Sequence, residues 1–373
     1  VSNNFGRTII GLILAVVLGT AIPCMAQGQT TVSDRVAALA GWLAPKIRQE
    51  APAWANEEEK PLFTFAWISD LHLDKSRLEF VAKAFRFVDV QLKPDFVLIT
   101  GDNNAQPAPP TDPNQPEPLA LRRQRFFKTY LSQHLKTPYV VMPGDNWPHE
   151  FDKVFGPVQY SFDYGGLHFL LTAPDREFRG AKMEGLAVFD EATWTWMRKD
   201  LDKNRDKPVI LAIHEPIFPP TFLDATRLRQ LLDGYPNVIA CLHGHLHADM
   251  ELQRAGRKYL ICPALGPTAR PAMKLVKVFP RIVILRTVEY SKIADRFEIV
   301  NKWQKIDVPE PLGKCLVRPP GSSFSMRNYD SVPAHARRTA PELAGRVGEL
   351  VGIVQEFLAK ELPEIVRHRA TSW

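Results

Sequence analysis

Five short segments each place carboxylates or imidazoles directly after an apolar, strand-like run. They are SDLH (Asp70, His72) after FTFAWI, GDNN (Asp102) after FVLIT, GDNW (Asp145, Asn146) after YVVMP, HEP (His214) after VILAI and GHLH (His245, His247) after VIACL. Singly, none of them signals chemistry, because Asp after Gly is ordinary turn usage and a lone histidine usually packs. Their recurrence at the same place relative to successive runs is harder to assign to turns. Loops leaving the carboxyl ends of strands in an α/β sheet converge on one crevice. All five segments therefore deliver their side chains to one edge. In DLH and HLH a single residue separates the two groups, and an extended segment projects both the same way. Mixed carboxylate and imidazole donors suit Mn, Fe or Zn better than Ca, and the absence of thiolates argues against a structural zinc site.

The elements that must position these groups alternate. LFTFAWI leads to a helix through Leu78, Val81, Phe85 and Val88, then DFVLIT, a helix around LALRRQRFFKTYL, and YVVM. VQYSFDY, a GG turn and LHFLLT follow, then a helix over EATWTWMRKDL, PVILAI, a helix over ATRLRQLL, NVIACL and YLICPAL. This order predicts an α/β fold, with the same alternation continuing through the second half. The proline-rich NNAQPAPPTDPNQPEP after Asp102 reads as an extended, mobile surface loop with no aromatic side chains on which bases could stack.

Outside this core, residues 31–50 read as a short amphipathic helix (Val36, Leu39, Trp42, Leu43, Ile47) followed by the acidic NEEEK. Beyond about residue 305 the chain becomes rich in Pro, Gly and Ser. It then ends in a helix opened by a Thr339/Glu342 capping box, whose stripe of Leu343, Val347, Leu350, Val354 and Leu358 is expected to pack on the core. The expected division is a signal peptide over 1–26, a helix and linker over 27–60, the main domain over 61–305 and an extension over 306–373.

The 373 residues are 45% hydrophobic, enough for a sizeable core. Arg7, the uncharged run Ile9–Thr20 and small residues up to Ala26 have the layout of a secretory signal peptide. The expected location is periplasmic or secreted, with no membrane contact after cleavage. An uncleaved N-terminal anchor is the alternative. Removing Arg7, the only charge in residues 1–26, takes the formal net charge from +6 to +5. Stretches such as RKDLDKNRDK mix both signs, so a solvated surface is expected and nucleic-acid binding is not. Cys241 and Cys262 lie in apolar runs and are expected to be buried free thiols.

The order D-x-H, G-D, G-N-H, H, G-H-x-H resembles that of the calcineurin-like metallophosphoesterases, from about Phe63 to Leu265. YSFDYGGLHFLLT and LLDGYPNVIACLHGHLHAD are also similar to secreted, purple-acid-phosphatase-like members. The resemblance implies two facing β-sheets flanked by helices, in four layers, with a C-terminal helical extension here. It implies two transition-metal ions that clamp a phosphate ester while a metal-bound hydroxide attacks phosphorus. Asp70, His72 and His247 would hold the first ion, Asp102 would bridge, and His214 and His245 would hold the second. Two cations about 3.5–4 Å apart need such a carboxylate to offset their repulsion.

At GDNW the chain departs from the family. Asp145 stands where the family has an asparagine ligand, and Asn146 where it has a histidine. An alternative alignment makes Asn146 the ligand after a one-residue insertion. A carboxylate is at least as good a ligand as an amide, and its charge should shift the favourable pH upward. Asparagine hydrogen-bonds phosphate but cannot serve as a general acid, a role His149 could take instead. His243 falls outside the pattern and reads as a supporting residue. The expected activity is dinuclear hydrolysis of phosphate mono- or diesters, and the alternative is a non-catalytic metal- or phosphate-binding protein on the same scaffold.

Overall fold

A computed structural model describes residues 50–55, 59–175, 186–266, 268–321, 323–332, 343 and 345–365. The expected signal peptide, nearly all of the helix expected over 31–50 and the Thr339/Glu342 capping box lie outside those residues. Among the described residues, no helix is long and apolar enough to cross a membrane.

Two mixed sheets face each other. The first runs, in spatial order, β12 (Arg296–Asp307), β11 (Ile282–Ser291), β10 (Ala272–Val278), β1 (Phe63–Ile68), β2 (Phe96–Thr100) and β3 (Tyr139–Met142). The second runs β13 (Arg327–Val332), β4 (Gln159–Tyr164), β5 (Leu167–Leu171), β6 (Val209–Ala212), β7 (Val238–His243), β9 (Arg257–Ile261) and β8 (Met250–Arg254). β1, β2 and β3 are mutually parallel, as are β5, β6, β7 and β9.

Strand periodicity sorts the side chains into layers. Phe65 and Trp67 of β1 face the second sheet and meet Phe162, Phe169, Ala212 and Leu242 in the inter-sheet core, while Ala66 and Ile68 face outward. On that outer face lie α1 (Leu78–Phe87) and α2 (Leu119–His134), which bury Val81, Phe85, Phe127 and Leu131. On the far face of the second sheet, α4 (Glu191–Lys203) and α5 (Ala225–Asp233) bury Trp194, Met197, Leu228 and Leu232. Asp190 caps α4 by accepting the Thr193 amide at 2.6 Å. The result is the four-layer α/β arrangement with two facing sheets.

Two features differ from the sequence reading. Residues 250–307 do not continue the helix–strand alternation but form antiparallel strands, β8 with β9 and β10 through β12. IVILRTVEYS is rich in β-branched residues, and the short links between these strands leave no room for crossover helices. Residues beyond 305 also contribute β13 to the edge of the second sheet. In α7 (Val347–Glu356), Leu350 and Val354 are buried, and Phe357 just beyond it packs on Phe218 at 5.3 Å. The short helices α3 (Asp152–Phe155) and α6 (Glu310–Gly313) and π-helical turns over Val88–Leu92 and Phe357–Glu361 complete the described elements. The proline-rich loop is tied to α2, with Arg125 gripping Glu117 through two bonds of 2.5 and 2.7 Å and the Ala108 amide bonded to the Arg122 carbonyl. Cys241 and Cys262 are buried and free.

Candidate active site

The parallel strands β1, β2, β3, β6 and β7 end at one pole, and the loops that follow carry the predicted groups. Asp70, His72, Asp102, His245 and His247 all adopt left-handed backbone angles, with φ between 41° and 69°. For residues other than glycine this region is sparsely populated, and such strain persists where surrounding structure enforces it, often at functional sites. Glycines make the crowding possible. A Cβ on Gly144 would sit 2.2 Å from Asp102 Oδ1, and one on Gly244 2.0 Å from Ser69 Oγ and 2.6 Å from Asp70 Oδ2.

Two clusters share a wall. In one, His72 Nε2 and His247 Nε2 face each other at 2.9 Å, and Asp70 Oδ1 lies 3.3 Å from the latter. In the other, Asp145 Oδ1 lies 3.1 Å from His214 Nε2 and 3.0 Å from His245 Nδ1. Asp102 stands between them, with Oδ2 3.4 Å from His72 Nε2 and Oδ1 3.4 Å from His214 Nε2. The donor atoms of Asp70, His72 and His247, of Asp145, His214 and His245, and of Asp70, Asp102 and His214 each lie within 4.8 Å of one another.

The donors fit a cation. His214 Nδ1 is 2.6 Å from the Thr100 carbonyl, which can only accept, so the Nε2 lone pair of the neutral ring is turned toward the carboxylates. The two opposed nitrogens of His72 and His247 likewise need a proton or a cation between them. Without a metal, protons fill that role. Burial is the largest influence on Asp70 and Asp145 and would raise both. The neighbouring imidazoles, His214 and His247 at Asp70 and His245 and His214 at Asp145, nevertheless hold them well below the usual carboxylate range. Burial likewise pulls His214 and His245 down, but Asp102 and Asp70 lift His214 well above its ordinary value, and Asp145 lifts His245 to about 9.

The GDNW segment enters the site. Asp145 is in the second cluster, while the Asn146 side chain donates to Asp102 Oδ2 at 2.6 Å and Asp145 Oδ2 at 3.2 Å, and its amide to Asp102 Oδ1 at 2.8 Å. His149 joins none of the clusters, and its carbonyl accepts from Gln124 Nε2 at 3.0 Å. His243 is fully buried with Nδ1 3.1 Å from the Ile213 carbonyl, and burial drives its pKa down to about 3. It therefore supports the β6–β7 edge as a neutral ring.

Two contributors escaped sequence reasoning. Gln124, buried in α2, also donates to the Trp147 carbonyl at 2.7 Å and so braces the GDNW loop. Nothing in a helical glutamine announces that. Trp147 shares the left-handed conformation (φ 54°) and sets its ring edge-on to His72 at 5.8 Å between centroids. Its position directly after GDN was the available signal.

At the ends of the parallel strands of a two-sheet α/β scaffold, clustered Asp and His form groups that could hold metal ions. The chain belongs to the calcineurin-like phosphoesterase family, whose model matches residues 63–249, half of the 373. It is therefore a phosphoric ester hydrolase.

Among its relatives, an Arcobacter nitrofigilis protein named "Probable glycerophosphodiester phosphodiesterase GpdQ" is 26% identical over 205 residues, covering 50% of this chain and 67% of the relative. A Nostoc protein named "3',5'-cyclic-nucleotide phosphodiesterase alr5338" is 24% identical over 231 residues, covering 55% and 79%. Among solved structures, Plasmodium GAP50, described as the anchor in the inner membrane complex, has a TM-score of 0.44 at 11% identity, covering 73% of this chain and 98% of that one. Chaetomium thermophilum Vps29 has a TM-score of 0.36 at 12% identity, covering 66% and 100%.

Proposed function

We propose that the site hydrolyses phosphate esters with two bound cations, and that phosphodiesters are its first substrate class. Asp70, His72 and His247 would hold one cation, Asp145, His214 and His245 the other, and Asp102 would bridge. The observation that carries this reading is the placement of Asp102, each of whose oxygens is 3.4 Å from an imidazole nitrogen of a different cluster. Bound there, a cation pair supplies Lewis-acid charge stabilisation and lowers the pKa of the attacking water.

The protein's own groups do the rest. Asn146, already hydrogen-bonded to Asp102 and Asp145, is placed to donate to a phosphate oxygen. The His214 Nδ1 contact with the Thr100 carbonyl keeps the opposite nitrogen free for binding. Both curated relatives carry phosphodiesterase names, which supports the diester as the first choice. The test is steady-state turnover of bis(p-nitrophenyl) phosphate and p-nitrophenyl phosphate by the purified chain, metal-stripped and then reloaded with Mn2+ or Zn2+. Metal-dependent cleavage with higher kcat/KM on the diester is expected. Equal turnover by the stripped protein would refute the cation role, and a monoester preference would refute the substrate class.

A further inference from the structure

The site draws its groups from both sheets. Asp70, His72, Asp102 and Asp145 follow strands of the first sheet, and His214, His245 and His247 follow strands of the second. The spacing between the two halves therefore depends on what joins the sheets near this pole.

Backbone contacts make part of that join, with the His245 amide on the Asp70 carboxylate at 3.0 and 3.1 Å, and a buried ion pair adds a side-chain link beyond His247. Lys274 on β10 shares its face with Val276 and Val278, which line the inter-sheet core, and is 1% exposed. Its ammonium donates to Asp249 Oδ1 at 2.5 Å, Thr287 Oγ1 at 2.8 Å and Gln304 Oε1 at 2.8 Å, which uses all three of its hydrogens. Thr287 Oγ1 in turn donates to Asp249 Oδ2 at 2.8 Å. Lys274, Thr287 and Gln304 belong to β10, β11 and β12 of the first sheet. Asp249 belongs to the loop between β7 and β8 of the second, two residues beyond His247.

A buried ion pair often adds nothing to stability over packed apolar side chains, because desolvating both charges offsets their attraction. What it supplies is a directional link of fixed length. We propose that Lys274 and Asp249 are positioning residues, a strut that pins the His245–His247 loop to the first sheet and sets the reach of His247 toward Asp70 and His72. This rests on the two-cation reading above. Groups that orient metal-binding side chains are typically worth about 10–100-fold in metal affinity when lost.

The test is calorimetric titration of the metal-free full chain with Mn2+ alone. The variants are Lys274→Met combined with Asp249→Asn, Thr287→Val, and His247→Ala as the reference for the affected equivalent. In the double variant, the equivalent that His247→Ala disrupts should weaken by about 10–100-fold, while the other keeps its wild-type Kd. Thr287→Val leaves the ion pair but removes one bond to Asp249 and one acceptor of Lys274, so it should weaken the same equivalent by a smaller factor. If the double variant fails to fold, Thr287→Val decides. Wild-type Kd values for both equivalents would overturn the strut whatever happens to Tm, and so would equal weakening of both, which marks general loosening. Wild-type protein that binds no Mn2+ would overturn the two-cation reading and the strut with it.

Discussion

Asp102→Asn separates a bridging carboxylate from one that merely neighbours a metal. The substitution is isosteric, so the acceptor for the Asn146 amide at 2.8 Å is kept. The other oxygen becomes an amide nitrogen facing the Asn146 side-chain donor, now 2.6 Å away. That conflict costs about 1–3 kcal/mol with or without metal, so the informative quantity is the metal-induced rise in Tm. A cation at a hundred times its Kd stabilises the native state by about 2.7 kcal/mol, so two sites give about 5 kcal/mol. For a chain of this size about 1.3 °C accompanies each kcal/mol, and the expected rise is about 7 °C.

The two oxygens of Asp102 face different clusters, so its loss should remove nearly all of that rise and lower the bound metal from two equivalents. His72→Ala and His245→Ala touch one cluster each and should remove about half. The assay is thermal unfolding of stripped and Mn2+-loaded protein alongside elemental analysis. Full metal content and the full rise in Asp102→Asn would refute the bridging role. Loss of only the half removed by His72→Ala would assign Asp102 to one cluster.

Three further expectations concern separate parts of the molecule. Asn146 cannot protonate a leaving group, and general acid help is typically worth about 10²–10⁴ in rate; aryl esters should therefore be cleaved far faster than alkyl esters, and Asn146→His should narrow the gap in kcat/KM. Equal rates on both esters in the natural protein would point to another acid. Gly244→Ala would bring a methyl to 2.0 Å from Ser69 Oγ and 2.6 Å from Asp70 Oδ2, so metal content should fall even where far-ultraviolet circular dichroism is unchanged. Away from the site, burial lowers the His168 pKa, but Asp163 and Asp200, at 2.6 and 2.8 Å, outweigh it and raise it above the ordinary value. Its contribution to stability is full below the unfolded histidine value of about 6.5 and is lost as pH rises through the folded value. Asp163, held low by His168, Lys207 and Asn328 against burial, acts oppositely at acid pH. His214 and His245 are raised too, so urea midpoints should fall from pH 6 toward pH 9 in the natural protein and less steeply in His168→Gln, by the share His168 contributes.

Much of the site was legible because it lies where local sequence decides geometry. Each of Asp70, Asp102, Asp145, His214 and His245 stands within three residues of a strand end, and an apolar run followed by a polar turn announces that place. The same rule gave the parallel strands and the helices that cover them. It failed over residues 250–307, where short antiparallel strands follow one another without helices. There the local signal is the β-branched run IVILRTV, which favours strands without intervening helices.

What stayed illegible is the pairing across the two sheets. Read with period two, Lys274 falls on the same face as Val276 and Val278, so its burial was inferable from β10 alone. Its partner was not, because Asp249 is 25 residues away and belongs to the other sheet. Gln124 and the GDNW loop pose the same problem, with 23 residues between donor and acceptor. Strand-end motifs specify which groups reach the pole, whereas the distances between them depend on contacts formed only when sheets and helices pack. The groups of the candidate site are therefore written locally, in D-x-H and G-H-x-H, and its geometry is written in buried polar side chains far from those motifs. In a site fed by two sheets, substitutions at such polar residues should alter metal affinity one cluster at a time, while substitutions in the shared apolar core should alter both together.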